Sequence, residues 1–82
     1  MALHLEIITP DGSFYNGEVT SATLPGTMGM FQVLNNHAPI ISSLDKGSLS
    51  YVNKEGKHSF QIDGGVVEVL NNKITVLAEW IH

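Results

Sequence analysis

Along most of this chain apolar and polar residues alternate one for one. In LHLEI, Leu3, Leu5 and Ile7 share one face while His4 and Glu6 share the other, the period of a half-buried strand. PDGS at 10–13 predicts a turn. FYNGEV follows, and its Asn16-Gly17 pair tolerates the positive φ of a type I′ turn, so the spacing predicts a hairpin there with residues 18–24 returning as a strand. LPGTMG at 24–29 holds one proline and two glycines, a composition suited to a tight, closely approached loop rather than a central ladder. Met30, Phe31 and Val33 then predict a brief strand. Asn35, Asn36 and His37 break it, and Pro39 holds Ala38 away from helical angles before the apolar opening of IISSL.

The second half repeats the scheme. After a turn at DKG, residues 45–47, Leu49 and Tyr51 lie on one side of a strand; Lys54, Glu55, Gly56 and Lys57 reverse it; His58, Phe60 and Ile62 share a face of the return. Gly64-Gly65 predicts a bulge or crossing, and Asn71-Asn72 a further reversal between valine-rich strands. No segment carries a helical period over an ordinary helix length. The pattern therefore predicts an all-β fold, a small antiparallel β-sandwich or flattened barrel of about nine or ten short strands. With no internal repeat or linker, residues 1–82 are expected to form a single domain.

Composition narrows the chemistry. A chain of 82 residues buries only roughly 60 to 65 per cent of its unfolded surface, so its stability margin is thin. Without cysteine there is no disulfide, thiolate metal site or sulfur redox chemistry to reinforce it. The net charge of −4, with four lysines and no arginine, leaves no basic stripe for nucleic acid and no bidentate clamp for phosphate. The start of the chain, MALHLEIITP, lacks the basic opening and unbroken apolar run of a secretory signal, and the protein is expected to stay inside the cell. No window approaches the length of a membrane span, which leaves attachment to a membrane-bound partner open.

Reactive constellations are not evident. His4, His37, His58 and His82 fall on separate elements without metal-ligand spacing; His4 and His58 read as strand residues with a polar edge and His82 as a frayed terminus. No Gly-x-Ser-x-Gly elbow exists, and no Ser/His/Asp trio stands out. Asp11, Asp45, Glu55 and Asp63 stand at or beside turns, where carboxylates are solvated or bond the backbone. PGTMG and DGG do not open helices that could receive an anion. Neither catalytic residues nor a cofactor or metal is expected. One lysine offers an alternative: Asp45-Lys46, on a mid-chain turn of an acidic domain, resembles the modified lysine of lipoyl-type carrier domains. Against it, Gly47 and Ser48 do not mirror Leu44 and Ser43 as a symmetric hairpin would.

Three blocks in order resemble a known family. LHLEIITPDGSFYNGEV is similar to the opening strand, Thr-Pro turn and Gly-Glu-Val return of the N-terminal domain of the F-type ATP synthase epsilon subunit, called delta in mitochondria. LPGTMGMFQVLNNHAPI is similar to its glycine loop ending in His-Ala-Pro, and IDGGVVEVLNNKITVLAE to its Gly-Gly strand and closing hairpin. Gly26, Gly29, His37, Ala38, Pro39, Gly64, Gly65, Glu68 and Val69 all match in spacing. Gln32 stands where the family often has glycine, and Asn35-Asn36 where it has Pro-Gly; asparagine supports similar turns.

The resemblance implies a non-catalytic part of the central rotor, held against the gamma subunit and resting on the c-ring loops, coupling ion-driven rotation to ATP synthesis. It implies a peripheral place at the cytoplasmic face of the cell membrane within a proton-translocating complex. The family's regulatory and ATP-binding functions belong to a C-terminal helical hairpin, so ATP binding is not expected of these 82 residues. The expected docking surface is Gly26, Gly29, Met30, Phe31, Asn35, Asn36, His37, Ala38 and Pro39: glycines keeping the backbone low, Met30 and Phe31 as apolar contacts, Asn35, Asn36 and His37 as rim hydrogen-bonders. The alternative is that Phe31 and Val33 belong to the domain's own core and the Asn35–His37 run merely closes a turn.

Overall fold

A computed structural model describes residues 2–81. His82 lies outside the described residues. Nine strands follow one another: β1 (Leu3–Thr9), β2 (Gly12–Val19), β3 (Ser21–Gly26), β4 (Gly29–Val33), β5 (Ile40–Leu44), β6 (Gly47–Asn53), β7 (Gly56–Ile62), β8 (Gly65–Leu70) and β9 (Lys73–Ala78). They form one curled sheet in the order β2-β1-β9-β8-β5-β3-β6-β7, with β4 beside β3. Every ladder is antiparallel except β1 with β9, which run parallel from His4 opposite Lys73 to Ile8 opposite Leu77. Between named strands Gly26 with Leu44 joins the β2-β1-β9-β8-β5 half to the half built on β3, and beyond β9 an isolated bridge pairs Ile81 with Ile62 of β7.

The alternation in the sequence decides which face turns inward. Leu3, Leu5 and Ile7 of β1, Val67 and Val69 of β8, and Ile74, Val76 and Ala78 of β9 are buried, and meet Leu24, Val33, Leu49, Tyr51 and Ile62 from the other half. Each fully buried aliphatic side chain is worth about 1.5 to 3 kcal/mol of transfer energy. No polar or charged residue is buried among those described, so no core stabilisation is lost to unpaired groups.

Aromatic rings close the side of the curl where edge strand β2 faces β6 and β7. Tyr51 lies between Tyr15 and His58, with ring centroids at 4.4 and 4.9 Å, and Phe14 meets Phe60 at 5.0 Å. Asn53 donates to the Tyr15 hydroxyl at 3.3 Å, and its Oδ1 contacts His58 Nε2 at 3.2 Å. His58 is thus part of this seam, and its polar-edge reading describes its Asn53 contact.

Two sequence expectations are corrected. Asn16-Gly17 does not turn the chain: β2 runs straight through, Asn16 opposite Glu6 and Gly17 opposite Leu5, and the hairpin closes at Pro10-Asp11 instead. The Tyr15 ring lies over Gly17, where a Cβ would come within 2.9 Å of its hydroxyl. The true type I′ pair is Asn71-Asn72, both at positive φ (51° and 61°), between β8 and β9. Second, LPGTMG is a hairpin whose first three residues belong to a central strand. Pro25 is tolerated in β3 because it falls where the neighbour on that side changes from β6 to β5. Its carbonyl still accepts from Asp45 N–H at 2.7 Å.

Candidate functional site

The nine expected docking residues do not form one surface. β4 runs antiparallel to β3 from Gly29 opposite Gly26 to Val33 opposite Ala22. The glycine hairpin is therefore at one pole of the molecule and the Asn35–Pro39 loop at the other, roughly 15 Å away at about 3.3 Å per residue. Gly26 is buried, and a Cβ on it would come within 2.8 Å of the Phe31 ring. Phe31 is half-buried and packs on the core, Val33 is fully buried, and Met30 is 59% exposed.

At the second pole the loop is held by paired asparagines. Asn36, at φ 66°, donates its N–H to Asn72 Oδ1 at 2.7 Å, and Asn72 Nδ2 reaches back to Asn36 Oδ1 at 3.4 Å. The Asn35-Asn36 segment and the Asn71-Asn72 turn are thereby tied together. His37 N–H donates to Leu34 C=O at 3.2 Å, and its ring Nδ1 bonds Ala38 C=O at 2.7 Å, which fixes the ring against its own loop. Asn35, Ala38 and Pro39 are exposed. An open cleft of about 710 Å³ adjoins this pole, lined in part by Tyr15, Glu18, Asn35, Asn53, Lys54 and Glu55. Burial raises the Tyr51 phenol above its usual value of 10.0, with Tyr15 and Glu55 adding to the effect.

Sequence reasoning missed two further features. On the outer face of the first half, Ile8, Leu77 and Val66 stand in register across β1, β9 and β8, and Ile41 lies diagonally beyond on β5. Leu77, Val66 and Ile41 are 52%, 42% and 74% exposed. Broken alternation was the readable signal: Val66 and Leu77 occupy positions where the pattern demands polar residues. The other feature is Met28, 97% exposed at the tip of the glycine hairpin.

Reactive groups are dispersed. Among the described residues no group of three or more His, Asp or Glu converges on a point where a metal ion would be held. The Lys73–Glu6 pair at 3.6 Å is a surface contact of small energetic worth. Lys46 is not at a hairpin tip: β5 pairs with β8 and β3, β6 with β3 and β7, so the bend carrying it crosses between non-adjacent strands. The protruding hairpin that a carrier lysine needs is missing at that position. No described helix is long and apolar enough to cross a membrane.

These features define a class: a small curled β-sandwich whose distinctive surface is apolar and exposed rather than a pocket of clustered reactive groups. The chain belongs to the ATP synthase delta/epsilon chain β-sandwich domain family, whose pattern it matches over residues 2–82. It is 42% identical to the ATP synthase epsilon chain of Chlorobium limicola over 79 residues, covering 95% of this chain and 90% of that one. It is also 42% identical to the chloroplastic epsilon chain of Tetradesmus obliquus, where it covers 95% of itself but only 57% of the relative. Its fold superposes with a TM-score of 0.91 on a chain of the Euglena gracilis mitochondrial ATP synthase OSCP/F1/c-ring structure, at 20% identity, covering 99% of this chain and 52% of that chain. A chain of the Tetrahymena thermophila mitochondrial ATP synthase central stalk and c-ring gives 0.86 at 17% identity, covering 100% of this chain and 66% of that chain. The family match leaves the lipoyl-carrier alternative without support.

Proposed function

We propose that this chain is a non-catalytic rotor part of an F-type ATP synthase, bridging the gamma subunit and the c-ring loops at the membrane's cytoplasmic face. In that place it transmits ion-driven c-ring rotation toward ATP synthesis. The single observation that carries the reading is the exposed apolar bar Ile8–Leu77–Val66 with Ile41 beside it. Apolar side chains on the solvent side of a rigid sheet mark a surface that a partner covers. The separation of the two loops fits a bridge, since one small body then offers contacts at both poles.

A coupler of this kind has to resist torsion and dock. Resistance comes from a sheet that closes through its core and its aromatic seam, with short turns throughout. Docking comes from Met30 and the exposed Met28 at one pole, Asn35, Asn36, His37, Ala38 and Pro39 at the other, and the bar on the outer face of the first half. ATP binding is not part of the reading.

The test is co-purification with gamma and the c ring, compared between the unmodified chain and a variant carrying Met30→Ala and His37→Ala. Weakened retention of both partners at unchanged thermal stability is expected. Retention equal to the unmodified chain overturns the docking assignment.

A further inference from the structure

One side of β4 is unused. Among the described residues it pairs with β3 alone, and the direction of its backbone groups follows from its neighbours. Asp45 N–H donates to Pro25 C=O at 2.7 Å and Thr27 N–H to Ser43 C=O at 3.1 Å. Pro25 therefore turns its carbonyl toward β5, away from its β4 partner Met30. Gly26 and Gly29 close a two-residue turn and face one another. Direction alternates along an antiparallel ladder, so Phe31 and Val33 bond inward to Leu24 and Ala22. The N–H and C=O groups of Met30 and Gln32 point off the edge of the sheet. Among the described residues no hydrogen bond reaches them.

Sheet proteins ordinarily defend such an edge with lysine, proline, a bulge or a covering element. β4, GMFQV, has no charge and no proline. The stretch of chain around it is equally uncharged: residues 19–44 contain none of the chain's twelve charged residues, four Lys plus eight Asp and Glu. Met30 and Leu34, on the same outer side as Gln32, are 59% and 52% exposed. An acidic chain with one uncharged region, opening onto free backbone donors and acceptors, matches one kind of ligand: extended backbone without charge.

We propose that β4 receives a further strand, an extended, uncharged segment of the protein on which the domain docks, which pairs with Met30 and Gln32 and lays apolar side chains beside Met30 and Leu34. This rests on the docking reading above and names its contact.

Amide hydrogen exchange on the free chain and on the chain assembled with its complex is the test. Assembly is expected to slow the Met30 and Gln32 amides at least about tenfold, with smaller changes at Phe31 and Val33, which are already bonded. Met30 and Gln32 exchanging at free-chain rates in the complex overturns strand addition while leaving docking intact. Slowing that appears in the free chain as its concentration rises identifies a second copy as occupant and overturns a partner strand. A chain that fails to enter the complex overturns both readings. Gln32→Pro removes an outward N–H and no bond to β3; it is expected to weaken assembly about tenfold where Gln32→Ala does not.

Discussion

Gly65 leaves the least room for a side chain of any described glycine. Its φ is +155°, and a Cβ there would land on the Leu77 carbonyl oxygen and within 3.1 Å of Ala78 Cα, both backbone atoms of the neighbouring strand. Backbone cannot swing aside as a flexible side chain does. Gly65→Ala is therefore expected to cost at least about 2 kcal/mol, seen as a lower urea midpoint at unchanged slope. Gly12→Ala is the contrasting case: φ is +117° but nothing lies within 4 Å, so conformational strain alone costs about 1 kcal/mol. Equal losses at the two sites would show that contact with β9 is not what fixes Gly65. The Gly64-Gly65 pair was visible in the sequence as a bulge or crossing. Its reason was not, because β9 lies a dozen residues away and only pairing brings Leu77 over it.

At the scale of elements, local signals were legible and long-range ones were not. The Asn71-Asn72 reversal announced itself because both residues must adopt positive φ within two positions. Asn16-Gly17 sends the same signal and is overruled: β1 demands a partner for Leu3 through Ile7, and Tyr15 needs the space that Gly17 leaves. The aromatic seam was invisible for another reason, since Tyr15, Tyr51 and His58 are separated along the chain and meet only when β2 closes onto β6 and β7. That seam carries a pH consequence. Burial first, then Tyr15 and Glu55, raise the Tyr51 phenol above 10.0 in the folded chain. The unfolded chain releases that proton first as pH rises, so this contribution is complete below pH 10 and is lost as pH climbs through the higher folded value. Denaturant titrations at increasing alkalinity are expected to show a decline that is shallower in Tyr51→Phe. An identical slope in the two proteins would remove Tyr51 as its source.

The whole molecule measures 30 × 26 × 19 Å, and its two loop poles are separated by the length of β4. Sites more than about 10 Å apart without shared partners behave additively, within about 0.5 kcal/mol. Met30→Ala and His37→Ala are expected to obey that rule for stability and for binding alike, measured in a double-mutant cycle. A coupling energy well beyond that limit would mean that one partner grips both poles at once. The brief strand at Met30, Phe31 and Val33 was legible between the two loops; that it holds them apart across the sheet was not, because that follows from its ladder with β3. Fold class was legible throughout from period-two alternation. Docking geometry depends on which strands become neighbours, and the parallel ladder of β1 with β9 leaves no local mark at all.

That ladder also governs how the molecule is made. β1 occupies the second position in the sheet, between β2 and β9, yet its second neighbour is the last in chain order of the nine described strands. During translation the first hairpin emerges with one flank bare, and β8 likewise waits for the same closing strand on one side. The chain is at greatest risk of sticking to a sister molecule in that interval, and the arrival of Lys73–Ala78 ends it by sealing both flanks in one stroke.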